Sequence, residues 1–325
     1  MLVGDEIRTG YVSGLTFQNK PVQYAVVGNR AVFEGDIVLG TVEELDARIE
    51  QVSAAGGPSR AVVVVGEQFR WPNALMPYVI NANLPDQARV TNAIAHWEAN
   101  TNLTFVQRTA ANAAQYPNFV EVIASDGCWS QVGMRSGRQE IGLAAGCGFG
   151  AVVHEFGHAW GLWHEQSRED RDSFVTINWA NIEPGREHNF NQHISDGDDI
   201  GPYNYGSIMH YGRFAFSRNN LPTIEPVQAG VTIGQRDGLN AGDIDAVHFI
   251  YRTWHYNRTV DQVYASHHGQ NAWAHLANGN AWRKVAPNAA DGVTNVFLML
   301  VAAKAKGKQA YVVLNSASQI TEVYI

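Results

Sequence analysis

Apolar and polar residues alternate along residues 11 to 39, with Gly and Asn between the short runs. A two-residue period predicts short strands whose side chains point to opposite faces. The period changes at Thr41. Val42, Leu45, Ile49 and Val52 recur at helical spacing, and Glu44 follows Thr41 by three residues, as in a capping box. A helix is predicted there. Ser53 to Arg60, SAAGGPSR, is small and flexible and ends on a basic residue. Such a break is open to proteolytic nicking, and a plain linker is its other reading.

Further along, Ala61–Val65 and Met76–Ile80 read as strands, and Asp86–Asn100 as a helix with Val90, Ile94 and Trp97 on one face. LTFVQR and NFVEVIA read as strands. Residues 127 to 150 are Gly-rich and read as a loop region that carries both cysteines. The chain is then irregular up to a short helix at Ala241–Tyr251, with Ile244 and Val247 inward. From about residue 255 the character changes. AWAHLANGNAWRKV reads as a hairpin around Asn278-Gly279. VFLMLVAA, QAYVVLN and ITEVYI read as further strands, so a separate small all-β unit is expected.

The chain has 325 residues, enough for two or three packed units, and is 45% hydrophobic and 17% charged. A formal net charge of −8 argues against nucleic acid or an anionic membrane as the main partner. The longest apolar run, Val296 to Ala303, stops at Lys304 and is too short to span a bilayer. The opening MLVGDEIRTG lacks the charged-then-apolar pattern of a secretion signal. Cys128 and Cys147 are too few for a disulfide scaffold. They admit one bridge in an oxidising compartment or two buried thiols in a reducing one.

The chemistry concentrates in AVVHEFGHAWGLWHEQSREDRD, Ala151 to Asp172. His154 and His158 are four apart, so on a helix they share one face and can reach one zinc ion. Glu155 lies between them, placed to take a proton from water rather than to ligate. HExxH alone also fits a solvated helix face. Gly161 and His164 remove most of that ambiguity. A continued helix would put His164 about 15 Å along the axis from His154, at about 1.5 Å per residue. For one ion to hold both, the helix must end and the chain must turn back, and Gly161 can take the left-handed conformation that does so. Three imidazoles leave a fourth position open, which is the catalytic type of zinc site, with Glu155 as general base. Met209, in YGSIMHYGRF, fits a Met-turn that floors such a site, and a generic core Met is its alternative. His210 is not needed as a ligand.

HEFGHAWGLWHEQSREDRD together with SIMHYG resembles the astacin family of zinc metalloendopeptidases, over about residues 61 to 252. The resemblance implies an α+β fold: a two-lobed metzincin catalytic domain with one zinc ion in the cleft. It implies His154, His158 and His164 as metal ligands and Glu155 and Tyr211 as catalytic. Tyr211 would be a weak ligand that swings away to stabilise the oxyanion. GCWSQVG and the second Cys match the family's closed loop, so Cys128 and Cys147 are expected to be bridged. A second disulfide usual in the family has no cysteines here. Substrate would lie extended along an edge strand, with Arg213 as a possible pocket for an acidic side chain.

The same resemblance covers the front of the chain. FEGD, Phe33 to Asp36, is similar to the family's pro-segment motif, in which the Asp carboxylate occupies the zinc. Residues 1–60 are therefore expected to be a latency segment latched by Asp36 and released by an activating protease near Arg60, with the mature chain starting at Ala61 or Val62. The new amino terminus would then meet Glu165. Residues 253–325 would be the small all-β domain. A secreted, monomeric endopeptidase acting on proteins or peptides is expected, with the export route open. One rival is a surface- or polymer-binding protein working through the C-terminal unit, with the metal domain secondary. Another is a zinc hydrolase acting on a non-peptide bond.

Overall fold

The structure is a computed structural model and describes residues 1–12, 20–54, 67–192, 199–251, 254–266, 271–277, 281–286, 290–314 and 319–324. The chain divides into two compact units, Met1–Tyr251 and Arg252–Ile325. The expected strand at Ala61–Val65, Arg60 and Ala61 themselves, and Asn278-Gly279 lie outside the described residues.

In the first unit, the alternating segment forms four strands: β1 (Ile7–Val12), β2 (Lys20–Val27), β3 (Arg30–Phe33) and β4 (Ile37–Thr41). Successive strands pair antiparallel. Helix α1 (Val42–Ala54) follows at once. Its start is held by reciprocal bonds, Thr41 N to Glu44 Oε2 at 2.9 Å and Glu44 N to Thr41 Oγ1 at 3.2 Å.

Further strands and a helix follow: β5 (Leu75–Ile80), α2 (Ala88–Asn100), β6 (Thr104–Gln107), β7 (Phe119–Ala124), β8 (Trp129–Ser130) and β9 (Arg138–Leu143). These nine strands form one sheet in the order β1-β2-β3-β4-β8-β9-β7-β5-β6. The expected loop at 127–150 therefore contains two strands. Glycines hid them: Gly142 lies inside β9, where a Cβ would come within 2.2 Å of the Trp129 ring. The front of the chain joins through one parallel contact, Ile37 opposite Ser130.

Helix α3 (Phe149–Trp160) packs under this sheet with α2. Ten of its residues are buried, so it is a core helix. Two indoles tie its backbone to the core: Trp97 Nε1 donates to Val153 O at 3.2 Å, and Trp71 Nε1 donates to Ala159 O at 2.8 Å. The described residues of 162–240 are mostly turns and short 3-10 segments, with a short pair β10 (Val175–Ile177) and β11 (Ile224–Pro226). A second cluster, built on Phe190, Tyr203, Tyr211 and Ile224, holds this part together. Helix α4 (Ala241–Ile250) returns to the main core through Val247 and Ile250. Its capping box joins Asn240 and Asp243.

The second unit is not all-β. Its sheet has the order β14-β13-β12-β15-β16, formed by β12 (Trp254–Ala265), β13 (Ala272–Leu276), β14 (Ala281–Lys284), β15 (Gln309–Leu314) and β16 (Ile320–Tyr324). A helix of 17 residues, α5 (Ala290–Lys306), packs on it. The segment VFLMLVAA, expected as a strand, belongs to this helix. Short apolar runs do not distinguish helix from strand by periodicity. Burial does: Val293, Leu300 and Ala303 are in the core, whereas Leu298 is 58% exposed. Ala, Leu, Met and Lys, all good helix formers, supply nine of the 17 residues of α5.

Candidate metal centre

The end of α3 creates the site. Gly161 has φ 109° and ψ 6°, a left-handed conformation. Its amide donates to His158 O at 2.7 Å, and that of Leu162 to Gly157 O at 2.9 Å. This is a Schellman termination, and it sends the chain back along the helix. His164 consequently lies against the two helical imidazoles. Ring centroids are 4.7 Å apart for His154–His158 and for His158–His164, and 5.3 Å for His154–His164.

Asp36 completes the group. Its Oδ2 is 3.4 Å from His154 Nε2, and its Oδ1 is 3.1 Å from His164 Nε2 and 3.8 Å from His158 Nε2. One ligand atom from each of the four residues lies within 4.8 Å of the others, and all four residues are buried. A tetrahedral zinc with bonds of about 2.0–2.1 Å separates its donors by about 3.3 Å, close to the spacings here. His158 Nε2 and Asp36 Oδ1 have no hydrogen-bond partner. Unpaired buried atoms of this kind are costly, and a shared cation satisfies them. The donor set fits one zinc ion.

The outer nitrogens set the tautomers. His154 Nδ1 bonds Ile208 O at 2.7 Å, and His158 Nδ1 bonds Leu162 O at 2.8 Å. His164 Nδ1 bonds the carboxylate Oε2 of Glu34 at 2.7 Å. Because each acceptor is an oxygen, each Nδ1 carries the proton and each Nε2 presents its lone pair inward.

The electrostatics differ from ring to ring. Burial alone would lower the pKa of His164, but Asp36 and Glu34 outweigh it and raise it to about 10. Burial, aided by Arg236, lowers His154 to about 4. Burial opposes ionisation of Asp36, yet His164 and His154 hold it well below the usual carboxylate range. The two carboxylates beside His164 thus favour positive charge at that ring, whereas burial disfavours it at His154 and His158.

Glu155 is buried on the same helix, and its Oε2 has no hydrogen-bond partner. Burial, and then Asp36, raise its pKa well above the ordinary value. The Tyr211 hydroxyl donates to the backbone oxygen of Glu34, and its ring lies 4.7 Å from that of His164. Met209 sits under α3, where a Cβ on Gly157 would come within 2.6 Å of its sulfur. His210 is turned away from the cluster and pairs with the Tyr203 hydroxyl at 2.7 Å.

Cys128 and Cys147 are disulfide-bonded. Buried Arg89 clamps the loop they close, donating to Ala144 O and Cys147 O at 2.7 Å each. Glu165 lines a cavity of about 320 Å³ with Tyr203, Asn204 and Asp243. It accepts from the Asn204 amide at 2.7 Å, and burial raises its pKa to about 7. Arg213 lies apart from the cluster and is paired with Glu225 at 3.0 Å.

The sequence pattern of the Astacin peptidase family matches residues 64–252, which contain all three histidines. This chain belongs to the astacin family. Blastula protease 10 of Paracentrotus lividus is 36% identical over 229 residues, 67% of this chain and 38% of that protein. Meprin A subunit beta of Homo sapiens is 39% identical over 197 residues, 58% of this chain and 27% of that protein. The chain thus spans well under half the length of these astacin relatives. Among solved structures, the hatching enzyme zinc-protease high choriolytic enzyme 1 of Oryzias latipes aligns with a TM-score of 0.51 and 37% identity. That alignment covers 56% of this chain and 92% of the other.

Sequence reasoning misses three contributors to this astacin site. Glu34 sits inside the FEGD motif, but the motif's signal points to Asp36. Ser167, which donates to Glu34 Oε1 at 2.6 Å, carries no signal beyond its position after the third His. Asp243 follows Asn240 by three residues, a spacing that marks only a helix cap. It also accepts from Ser207 Oγ at 2.6 Å and from the Ile208 amide at 3.0 Å, and so supports the turn that carries Met209.

Proposed function

We propose that this chain is the latent form of a zinc endopeptidase that cleaves peptide bonds once its first sixty residues have been released. One observation carries the reading. The Asp36 carboxylate sits at contact distance from all three histidine Nε2 atoms, in a chain whose family is that of zinc peptidases. His154, His158 and His164 would hold the ion, with Asp36 in the remaining position until cleavage. A bound zinc ion supplies Lewis-acid polarisation of a scissile carbonyl and acidifies water.

The chain's own residues divide the remaining work. Glu155 Oε2, buried and uncommitted, accepts a proton from water and returns it to the leaving amine. Removal of Asp36 takes away a neighbouring negative charge that opposes Glu155 ionisation, so release favours the basic form. The Tyr211 hydroxyl, freed from Glu34, donates a hydrogen bond to the developing oxyanion. Strand β8, freed from β4, becomes an edge and offers its backbone to an extended substrate.

Cleavage falls between Arg60 and Ala61, and the cavity beside Glu165 receives the new terminus. Arg213 serves an acidic substrate side chain by exchanging Glu225 for it. An extracellular setting agrees with the disulfide, and no described helix is long and apolar enough to cross a membrane. Protein substrates and an activating protease are the partners this reading requires.

The test is direct. The chain is cut with trypsin, and casein hydrolysis is compared for wild type and Glu155→Ala. Activity in the cut wild type alone is the expected result. Equal inactivity of both would remove peptide hydrolysis as the function.

A further inference from the structure

We infer that Glu34 is a positioning residue for His164, through which the leading segment retains the metal as well as blocking it. This rests on the zinc reading above.

The three histidines are oriented by different means. His154 and His158 bond backbone oxygens of Ile208 and Leu162, which stay with the site after cleavage at residue 60. The partner of His164 is a side chain 130 positions earlier in the chain. Both side chains of that pair are fully buried, at 0% exposure. The second carboxylate oxygen of Glu34 accepts from Ser167 Oγ at 2.6 Å, so neither oxygen is left unpaired.

Glu34 lies in the tight turn between β3 and β4, where Phe33 pairs with Ile37 and Gly35 also has a positive φ, of 73°. Glu34 has φ 46°, in the left-handed region that a residue with a Cβ rarely occupies. Such strain persists where surrounding contacts over-determine it. Here those contacts are the β3–β4 pairing, the two side-chain bonds and the Tyr211 hydroxyl on the Glu34 carbonyl.

A carboxylate that accepts from a ligand's Nδ1–H fixes the ring orientation and makes Nε2 a stronger donor. Loss of such a partner typically weakens metal affinity by about 10–100-fold. Asp36 is the direct latch, and Glu34 acts two residues away through His164. Cleavage would remove both, leaving the His164 Nδ1–H to solvent. The uncut chain should therefore hold zinc more tightly than ligation by Asp36 alone accounts for.

Zinc affinity of the uncut full chain is measured by competition with a chelator of known affinity, for wild type, Glu34→Gln, Glu34→Ala and Ser167→Ala. The same measurement is repeated after cleavage and removal of residues 1–60. Glu34→Ala should weaken zinc binding in the uncut chain by about 10–100-fold, with Glu34→Gln intermediate. After cleavage both should equal wild type, since residue 34 is gone. Ser167→Ala should weaken the uncut chain more than the cut one, and it decides the matter if neither Glu34 variant folds. Uncut variants that hold zinc as tightly as wild type would overturn the inference while leaving the zinc site intact. A wild-type chain that binds no zinc, cut or uncut, would instead overturn the reading beneath it.

Discussion

Asp36 and Ser130 are joined through the backbone: the Ser130 amide donates to Asp36 O at 2.9 Å. The residue whose carboxylate enters the histidine cluster is thus also fastened to strand β8. In the latent form proposed above, two obstacles would coincide at this one residue, a ligand in the metal's open position and a strand on the substrate's edge.

These obstacles separate in Asp36→Ala. The substitution removes the carboxylate and leaves the amide pairing of Ser130. Uncut Asp36→Ala should hydrolyse a fluorogenic peptide faster than uncut wild type and more slowly than the cut enzyme. Gels run alongside the assay establish that the chain stays uncut. Silence of the variant throughout would show that strand coverage alone enforces latency.

Gly161 turns the chain that carries His164. At φ 109° an alanine would be strained, at a cost of about 1–2 kcal/mol. Gly161→Ala should lower the melting temperature by several degrees and reduce bound zinc below one per chain, measured by calorimetry and elemental analysis. Full zinc occupancy and an unchanged melting temperature would contradict the role assigned to this turn.

Gly150 opposes two effects. Helix propensity favours alanine over glycine by about 1 kcal/mol. However, a Cβ at Gly150 would lie 1.7 Å from the backbone oxygen of Arg236. Backbone cannot swing aside as a side chain can, so Gly150→Ala should destabilise the first unit by about 2 kcal/mol or more. Urea unfolding monitored by tryptophan fluorescence checks the sign, and a stabilised variant would refute the packing.

The Cys128–Cys147 bridge spans a sequence separation of 19. A loop of this size is worth about 3 kcal/mol through restriction of the unfolded chain. The double serine variant should lose about that much stability in urea. Reductant should lower wild-type stability and leave the variant unaffected. A bridge whose removal changes nothing would mean that Arg89 and its two carbonyl partners hold the loop alone.

What could be read from the residues alone was local. The Thr41–Glu44 cap, the helical spacing of His154 and His158, and the left-handed turn at Gly161 each depend on neighbours within a few positions. Backbone geometry converts such spacing directly into shape. The α+β class of the metal-bearing unit and its three imidazoles followed from this and from the family resemblance those residues carry. The failures were equally specific. The run at Val296–Ala303 reads as a strand in the sequence but belongs to helix α5, with Leu300 and Ala303 buried and Leu298 exposed. Strands β8 and β9 were hidden in a Gly-rich stretch.

Tertiary structure alone decided which distant groups meet. Sequence carries no period that links Ile37 to Ser130 or Glu34 to His164, and the backbone oxygens of Ile208 and Leu162 have no residue signature at all. Those pairings arise because a buried carboxylate or imidazole must find a partner once water is excluded. Which partner it finds depends on how the sheet and α3 pack together.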